Sequence, residues 1–286
     1  MTRQRGCKER RENVKKAKLK ELAQEIGFDV VGIASIDRFS NVSSERHPLS
    51  IFPDAKSVIA LGCEVPRGSF RGIEEGTLWM RAGRQVPPKY TYELARCIED
   101  EGWEAVPVSP LAPERWPDGV SVAPGKVAPN VSPSLEYAAV AAGLGEIGFC
   151  RVFLSPVYGP RLSLGMIITD APFEADEPLE GSVCEGLDCQ ACVEACPLDA
   201  IDSNDTEEVI ISSKKMLCAH VNYDACRLCP NGVYLDESSL HGTPNRLTAT
   251  CVRSCIARLE ERNKLEKRYK TSFRIRPAWS LGIFDK

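Results

Sequence analysis

A run of four cysteines that ends in Cys196-Pro197 constrains this chain more than any other feature. Cys189, Cys192 and Cys196 have the C-x-x-C-x-x-x-C-P spacing of bacterial 4Fe-4S sites, although four residues, where the pattern has two, separate Cys184 from Cys189. Thiolates are soft anionic ligands that suit iron and zinc, and ligands so close in sequence can surround one centre without a long loop. The run therefore predicts a redox-active iron–sulfur site.

Five more cysteines follow the run, so the region contains nine: Cys218, Cys226, Cys229, Cys251 and Cys255 complete the set. Two cubane clusters need eight thiolates, so one cysteine is surplus. In two-cluster ferredoxins the fourth cysteine of a run ligates the other cluster, which predicts that Cys196 joins the later set. Cys251 and Cys255 lie four residues apart, and on a helix they share one face, so we expect both to serve the same cluster.

Zinc is the alternative metal, because paired C-x-x-C motifs also form zinc ribbons. One tetrahedral ion takes four ligands, however, and nine clustered cysteines exceed that number. A disulfide framework is disfavoured because the thiols bunch in metal-ligand spacings and no apolar signal segment follows the first residues. Outside the cluster, Cys63, Cys97 and Cys150 are predicted to be buried as small apolar side chains.

Composition limits the partners that we expect. The chain has 286 residues and a net charge of -4, and its isoelectric point is near 5.6. A general nucleic-acid binder needs a basic field, so we expect no nucleic-acid partner and a small-molecule substrate instead. No apolar stretch approaches the roughly 20 residues of a membrane helix, so we expect no membrane partner and a cytoplasmic location.

The remaining sequence predicts an α/β (α+β) fold. Helical spacing of apolar residues, or short β-branched runs, predict helices over 19–26, 92–101 and 136–142 and strands over 30–33, 57–62, 104–108 and 162–169. Seven prolines between 107 and 133 predict a long ordered loop, a candidate wall of a binding cleft. The predicted organisation is a basic arm (1–20), an α/β cofactor-binding domain (21–175), a ferredoxin-like 4Fe-4S domain (176–257) and a C-terminal tail (258–286).

Gly143, Gly145 and Gly148 form a G-x-G-x-x-G segment. The dinucleotide-binding version of this motif follows a strand and opens a helix, whereas here a helical stretch precedes it and an apolar, β-leaning stretch follows. The segment therefore does not predict NAD binding. Without Cβ atoms it still allows close approach of a large planar cofactor.

The order of motifs resembles the cobalamin-dependent iron–sulfur reductases, the superfamily of epoxyqueuosine reductase and the reductive dehalogenases. The resemblance is carried by A-A-G-L-G-E-I-G at 141–148, Y-G-P-R at 158–161, T-D-A-P at 169–172 and the Cys-Pro run with L-D-A-I at 198–201. It implies an α/β domain that cradles base-off cobalamin and a ferredoxin-like module with two 4Fe-4S clusters that reduces the cobalt. The cobalamin-binding residues that it implies are Gly143, Gly145, Glu146, Gly148, Tyr158 and Arg161.

The resemblance also indicates where a proton donor would stand. Epoxyqueuosine reductases carry an Asp general acid shortly before the glycine segment, but this chain has no Asp there. Glu136 is the first candidate acid and Tyr137, the residue type that the dehalogenases use, is the second. No tRNA-reading helical repeats and no twin-arginine export segment are recognised in the chain, so neither queuosine synthesis nor respiratory dehalogenation is expected.

These features predict a cytoplasmic oxidoreductase that passes electrons through two 4Fe-4S clusters to a bound cobalamin, for reductive chemistry on a small substrate. Its electrons would come from a low-potential donor such as ferredoxin or flavodoxin. The alternative is an electron-transfer protein that reactivates the corrinoid of a partner without substrate chemistry of its own. A zinc-stabilised interaction module is a third interpretation.

Overall fold

The computed structural model describes residues 16–44, 46–70, 86–108, 131, 133–233 and 244–276. Most of the predicted basic arm, the central part of the proline-rich segment and the end of the predicted tail lie outside these ranges. Cys7 lies outside them as well. The predicted cleft wall is therefore not described.

Helices and strands are interspersed over the first two thirds of the chain. The helices are α1 (Lys16–Ile26), α2 (Pro88–Glu99), α3 (Leu135–Ala141), α4 (Ala191–Glu194), α5 (Tyr223–Arg227) and α6 (Thr250–Glu261). The strands are β1 (Val30–Ser35), β2 (Ser57–Glu64), β3 (Ala105–Val108), β4 (Glu146–Ile147), β5 (Phe153–Leu154), β6 (Leu162–Thr169), β7 (Ile201–Ile211) and β8 (Lys214–Val221). Short 3-10 turns cover Ile36–Phe39, Pro48–Ser50, Arg67–Phe70 and Gly186–Asp188.

The main sheet has four strands in the order β1-β2-β6-β3, and every pairing is antiparallel. The mixed α/β class and the predicted positions of these strands are confirmed. Helix α2 begins four residues before the predicted position, at Pro88. Proline suits the first turn of a helix, because its fixed φ is helical and its missing N–H would have no partner there.

Alternation along β2 divides the core between the two faces of the sheet. Ile59 and Leu61 pack with Leu19 of α1 and Leu94 of α2, whereas Val58 and its neighbours on the same face pack against α3. Successive side chains of a strand point to opposite faces, so one apolar strand can be buried between two helical layers. The sheet is therefore covered on both faces.

A second core lies around the cysteines and is joined to the first by the β7–β8 hairpin. Ile211 and Met216, near the turn, belong to the core of the main sheet. Ile201 and Val221, at the open end, pack with residues of α6 and with several cysteines. Among the helices in the described ranges, none has both the length and the apolar content needed to cross a lipid bilayer.

Candidate metal centre

Four cysteines line one cavity in the second core. Cys196 follows α4, Cys226 lies in α5, Cys229 follows α5 and Cys251 lies in the first turn of α6; we call these four the cavity set. The walls between them are largely apolar, with Ala200, Ile201 and Val233 among the lining residues. Cys196 thus stands with the later cysteines, which is the crossed arrangement that the two-cluster pattern predicts.

Three further cysteines of the region, Cys184, Cys189 and Cys255, lie near one another beside the cavity set. Cys184 and Cys255 pack against the same apolar residues, Leu154, Val183 and Leu259. Burial raises the pKa of the Cys255 thiol, and nearby Cys150, Cys184 and Cys189 raise it further. Cys192 packs in the second core, and we group it with these three because it forms a C-x-x-C pair with Cys189; we call Cys184, Cys189, Cys192 and Cys255 the loop set.

Cys251 and Cys255 therefore face different groups of sulfurs, contrary to the expectation that they would serve one cluster. Four residues of α-helix advance about 6 Å along the axis, since each residue rises about 1.5 Å. Helix α6 runs past both groups and packs against α4. Two thiols on one face of a helix can thus lie beside two different groups of cysteines.

Backbone N–H groups point at two of the sulfurs. The N–H groups of Phe149 and Gly186 donate to Cys184 Sγ at 3.3 and 3.4 Å, and the N–H of Ala200 donates to Cys196 Sγ at 3.2 Å. Gly186 has a φ of +57°, a conformation that L side chains rarely adopt. Such hydrogen bonds favour the ionised form of a sulfur, which is the form that binds metal.

Glu146 holds the loop that carries Cys184. Its side chain is 2 % exposed, and its Oε1 accepts hydrogen bonds from the N–H groups of Val183 at 2.8 Å and Cys184 at 2.6 Å and from Ser182 Oγ at 2.9 Å. Lys214 Nζ lies 3.3 Å from Oε2. Glu146 belongs to the glycine segment and binds the backbone of Val183 and Cys184, so it connects this segment to the first cysteine of the run. This role was not predicted from the sequence.

Burial affects the ionisation of these thiols. The pKa of Cys251 is raised to about 12, mainly because burial disfavours the charged form. Buried thiols in such a group need a cation to stabilise them as thiolates. Within the described ranges, no three His, Cys, Asp or Glu side chains are grouped tightly enough for a single ion.

Cys218 differs from the other eight cysteines of the region. It packs in the core of the main sheet, and its thiol donates to the carbonyl of Gly148 at 3.7 Å. Burial is the main cause that raises its pKa to about 11. This position makes Cys218 the candidate for the surplus cysteine.

The isolated cysteines are not all buried as predicted. Cys150 is 3 % exposed, but Cys63 and Cys97 are only partly buried. Cys150 packs in the same cluster as Cys192, and a side-chain hydrogen bond with Cys192 is the largest cause that raises its pKa. The sequence assigned Cys150 only an apolar role, because nothing in its spacing links it to the later cysteines.

The two candidate acids point to different neighbours. Helix α3 begins after Ser134, whose side chain accepts a hydrogen bond from the N–H of Tyr137 at 3.1 Å. The Tyr137 hydroxyl donates to the carbonyl of Arg38 at 3.2 Å, whereas Glu136 acts electrostatically on Tyr223 beside the cavity set. Their catalytic roles stay predictions.

The residues proposed to bind cobalamin also fall in two places. A Cβ on Gly143, whose φ is +75°, would lie 2.1 Å from the carbonyl oxygen of Glu177, and one on Gly145 would lie 2.1 Å from that of Leu154. Gly148 likewise packs against Leu154. The glycines thus allow close packing of the protein's own backbone, and their contact with a corrinoid stays a prediction.

Tyr158 and Arg161 lie together in a charged cluster instead. Arg161 is fully buried, and its Nη1 donates to Glu64 Oε1 at 2.8 Å and to the carbonyl of Val65 at 3.2 Å. Within the described ranges its Nε and Nη2 have no hydrogen-bond partner. Lys267 Nζ lies 5.4 Å from the Tyr158 ring centroid and also contacts Glu64.

No protein-family model matches the chain. Among curated proteins it is 25% identical, over 237 residues, to an epoxyqueuosine reductase from Synechococcus sp. strain CC9605. The match covers 71% of this chain and 64% of that relative. The chain thus spans less than two thirds of the relative's length.

Solved structures show a related fold. A reductive dehalogenase, whose structure suggests a mechanism for B12-dependent dehalogenation, superposes with a TM-score of 0.51 and 17% identity, over 83% of this chain and 31% of that one. An epoxyqueuosine reductase solved with an epoxyqueuosine-modified tRNA stem loop has a TM-score of 0.43 and 20% identity, over 65% of this chain and 52% of that one.

The expectation of no nucleic-acid partner was wrong. It rested on net charge, yet the chain's relatives are epoxyqueuosine reductases, and that enzyme has been solved with a tRNA stem loop. A net charge averages over the whole surface, whereas nucleic-acid binding depends on local basic patches. By sequence the chain is similar to epoxyqueuosine reductases, and it shares its fold with a reductive dehalogenase.

Proposed function

We propose that this protein is an iron–sulfur oxidoreductase in which the cavity set and the loop set each hold a 4Fe-4S cluster. The observation that carries the proposal is the cavity lined by Cys196, Cys226, Cys229 and Cys251. It gathers four thiols from three separate segments in an apolar surrounding. Four thiolates are the usual ligand set of a cubane, and shielding from water favours low reduction potentials.

The remaining donors fit a second cluster. The loop set also has four cysteines, and backbone N–H groups already point at Cys184 Sγ. Both sets contact α6, one through Cys251 and the other through Cys255. When bound, two such neighbouring clusters supply one-electron transfer at low potential.

The electrons have two candidate destinations. The relatives favour a corrinoid bound by the α/β domain, because B12-dependent chemistry is named for a dehalogenase of similar fold. The residues of this chain that support it are Tyr158 and Arg161, because two nitrogens of the buried Arg161 guanidinium have no hydrogen-bond partner in the described ranges. The second candidate is electron delivery to a partner protein. The observation that favours it is that the protein's own backbone occupies the space beside Gly143 and Gly145.

Metal content of protein purified without oxygen tests the clusters. Two cubanes give about eight irons and eight sulfides per chain. We expect Cys229→Ser and Cys189→Ser each to lose about four irons, since each removes a ligand of one set. Cys218→Ser is the matched control and should keep all of them, because its thiol packs in the other core. Colourless protein that contains about one zinc would refute the proposal.

Corrinoid binding separates the two destinations. Iron-loaded protein is incubated with hydroxocobalamin and passed through a desalting column, and the retained corrinoid is measured by absorption. Retention of about one corrinoid per chain in the base-off form, reduced in Arg161→Met, supports a cobalamin enzyme. If wild-type protein that contains its full iron retains none, the electron-transfer function is the one supported.

The candidate acid is tested in the same preparation. The assay measures reduction of an epoxyqueuosine-modified tRNA stem loop and, in parallel, of an organohalide, because relatives of both kinds are known. We expect Glu136→Gln to abolish turnover with normal iron content, with Tyr137→Phe as the matched variant. Unchanged turnover of Glu136→Gln would remove this residue from the acid role.

A further inference from the structure

Arg246 is a buried cation at the edge of the cavity. It lies in the segment before α6, is 4 % exposed, and lines the cavity together with the four cysteines of the cavity set. Arginine is seldom buried without a partner, because removing its charge from water is costly. Its surroundings therefore show what it interacts with.

The guanidinium is fixed on one edge and over one face. Nη2 donates to the carbonyl of Cys150 at 2.7 Å and to that of Arg151 at 3.1 Å, and the group lies 5.4 Å from the centroid of the Tyr223 ring. Nη1 is buried and has no hydrogen-bond partner among the described residues. One rigidly placed donor is thus left over beside the cysteine cavity.

The ionisable groups around Arg246 are three thiols and one phenol. Burial alone would lower its pKa, but Cys150, Cys251, Tyr223 and Cys226 outweigh this effect and raise the pKa, so the group stays charged. Within the described ranges, Arg246 makes no ion pair with a carboxylate. A thiolate-ligated cluster would supply the missing negative charge, and its sulfur atoms accept hydrogen bonds.

We propose that Arg246 donates its free Nη1–H to a sulfur of the cluster held by the cavity set, and that this contact sets the reduction potential of that cluster above that of the cluster in the loop set. The inference rests on the proposed function, because it requires both clusters. A fixed cation and a hydrogen bond to sulfur both favour the reduced, more negative cluster. A single electron shared by the two clusters would therefore reside mainly in the cavity set.

Redox titration followed by electron paramagnetic resonance tests this role. We expect Arg246→Gln to lower one of the two reduction potentials by about 59 mV, which for a one-electron couple is a tenfold change in the ratio of reduced to oxidised cluster at a fixed potential. Arg246→Lys keeps the positive charge but loses the planar set of guanidinium donors, so we expect a smaller decrease in the reduction potential. Lys215→Gln, which removes an exposed charge on β8, is the matched control and should change neither potential.

The affected cluster is assigned with Cys229→Ser, which loses the cluster of the cavity set and should therefore abolish the couple that Arg246→Gln shifts. If Arg246→Gln retains about eight irons and both potentials are unchanged, the inference is overturned while the proposed function stands. If Arg246→Gln does not assemble, Arg246→Lys decides, and unchanged potentials in that variant overturn the inference. Absence of iron from the wild-type protein would instead reject the proposed function, and this inference with it.

Discussion

Replacement of Glu146 by Ala should release the loop that carries Cys184. The carboxylate is buried and accepts hydrogen bonds from the N–H groups of Val183 and Cys184. Hydrogen bonds to a charged group contribute about 1.5–3 kcal/mol each, so two of them amount to at least about 3 kcal/mol of local stability. At about 1.4 kcal/mol per factor of ten, the two amides should exchange with solvent about 100-fold faster in the variant.

The assay is hydrogen exchange followed by mass spectrometry on the peptide that contains residues 182–186. Glu146→Gln is the matched control, because its amide oxygen can still accept from the two N–H groups, and we expect a much smaller increase in exchange. The exposed hairpin pair Lys215–Glu208 provides an internal reference, since it lies away from the loop. We also expect Glu146→Ala to lose about four of about eight irons, those of the loop set. Exchange within about threefold of wild type would refute the assignment of Glu146 as the anchor of this loop.

Three further predictions concern the scaffold. Gly143→Ala should destabilise the protein by about 2–4 kcal/mol, because the strain of a positive φ and the clash of the new Cβ with the backbone both contribute. Gly181→Ala has a φ of +68° but open space around its Cβ, so it should destabilise the protein by only about 1–2 kcal/mol. Equal midpoints of urea unfolding for the two variants would contradict this prediction. Burial alone would raise the pKa of Asp176, but Lys16, Lys20 and the Ile33 N–H outweigh it and lower the pKa below 3.8. The stability that Asp176 contributes is present above its pKa in the unfolded state and is lost as the pH falls through its pKa in the folded state. Thermal unfolding followed between about pH 5 and pH 2 should therefore show a fall in melting temperature that is smaller in Asp176→Asn than in the wild-type protein. Cys218, with its pKa raised to about 11, should resist alkylation at pH 8 in native protein, and rapid labelling there would show that it is accessible as a thiolate.

Several features of the fold could be read from sequence because they depend on local periodicity. The apolar run that became β2 and the helical spacing that became α1 each bury a face determined by residues within a few positions. The C-P ending of the first run similarly indicated metal chemistry, since its ligands are close in the chain. Strand order and the antiparallel pairing of β2 with β6, more than a hundred residues later, depend on long-range contacts that periodicity does not encode.

Sequence alone therefore determined the α/β character, the cysteine inventory and the resemblance to a reductase superfamily. Tertiary structure decided how the cysteines divide into two sets, because Cys251 and Cys255 lie at different heights on one helix that passes both groups. It also gave Glu146 its role as an anchor of the loop that carries Cys184. It brought Arg246 to the cavity and into contact with Cys150, which lies nearly a hundred residues earlier in the chain. The physical reason is that hydrogen bonds and buried charges act over a few ångströms in space, and only the folded chain brings these residues within that range.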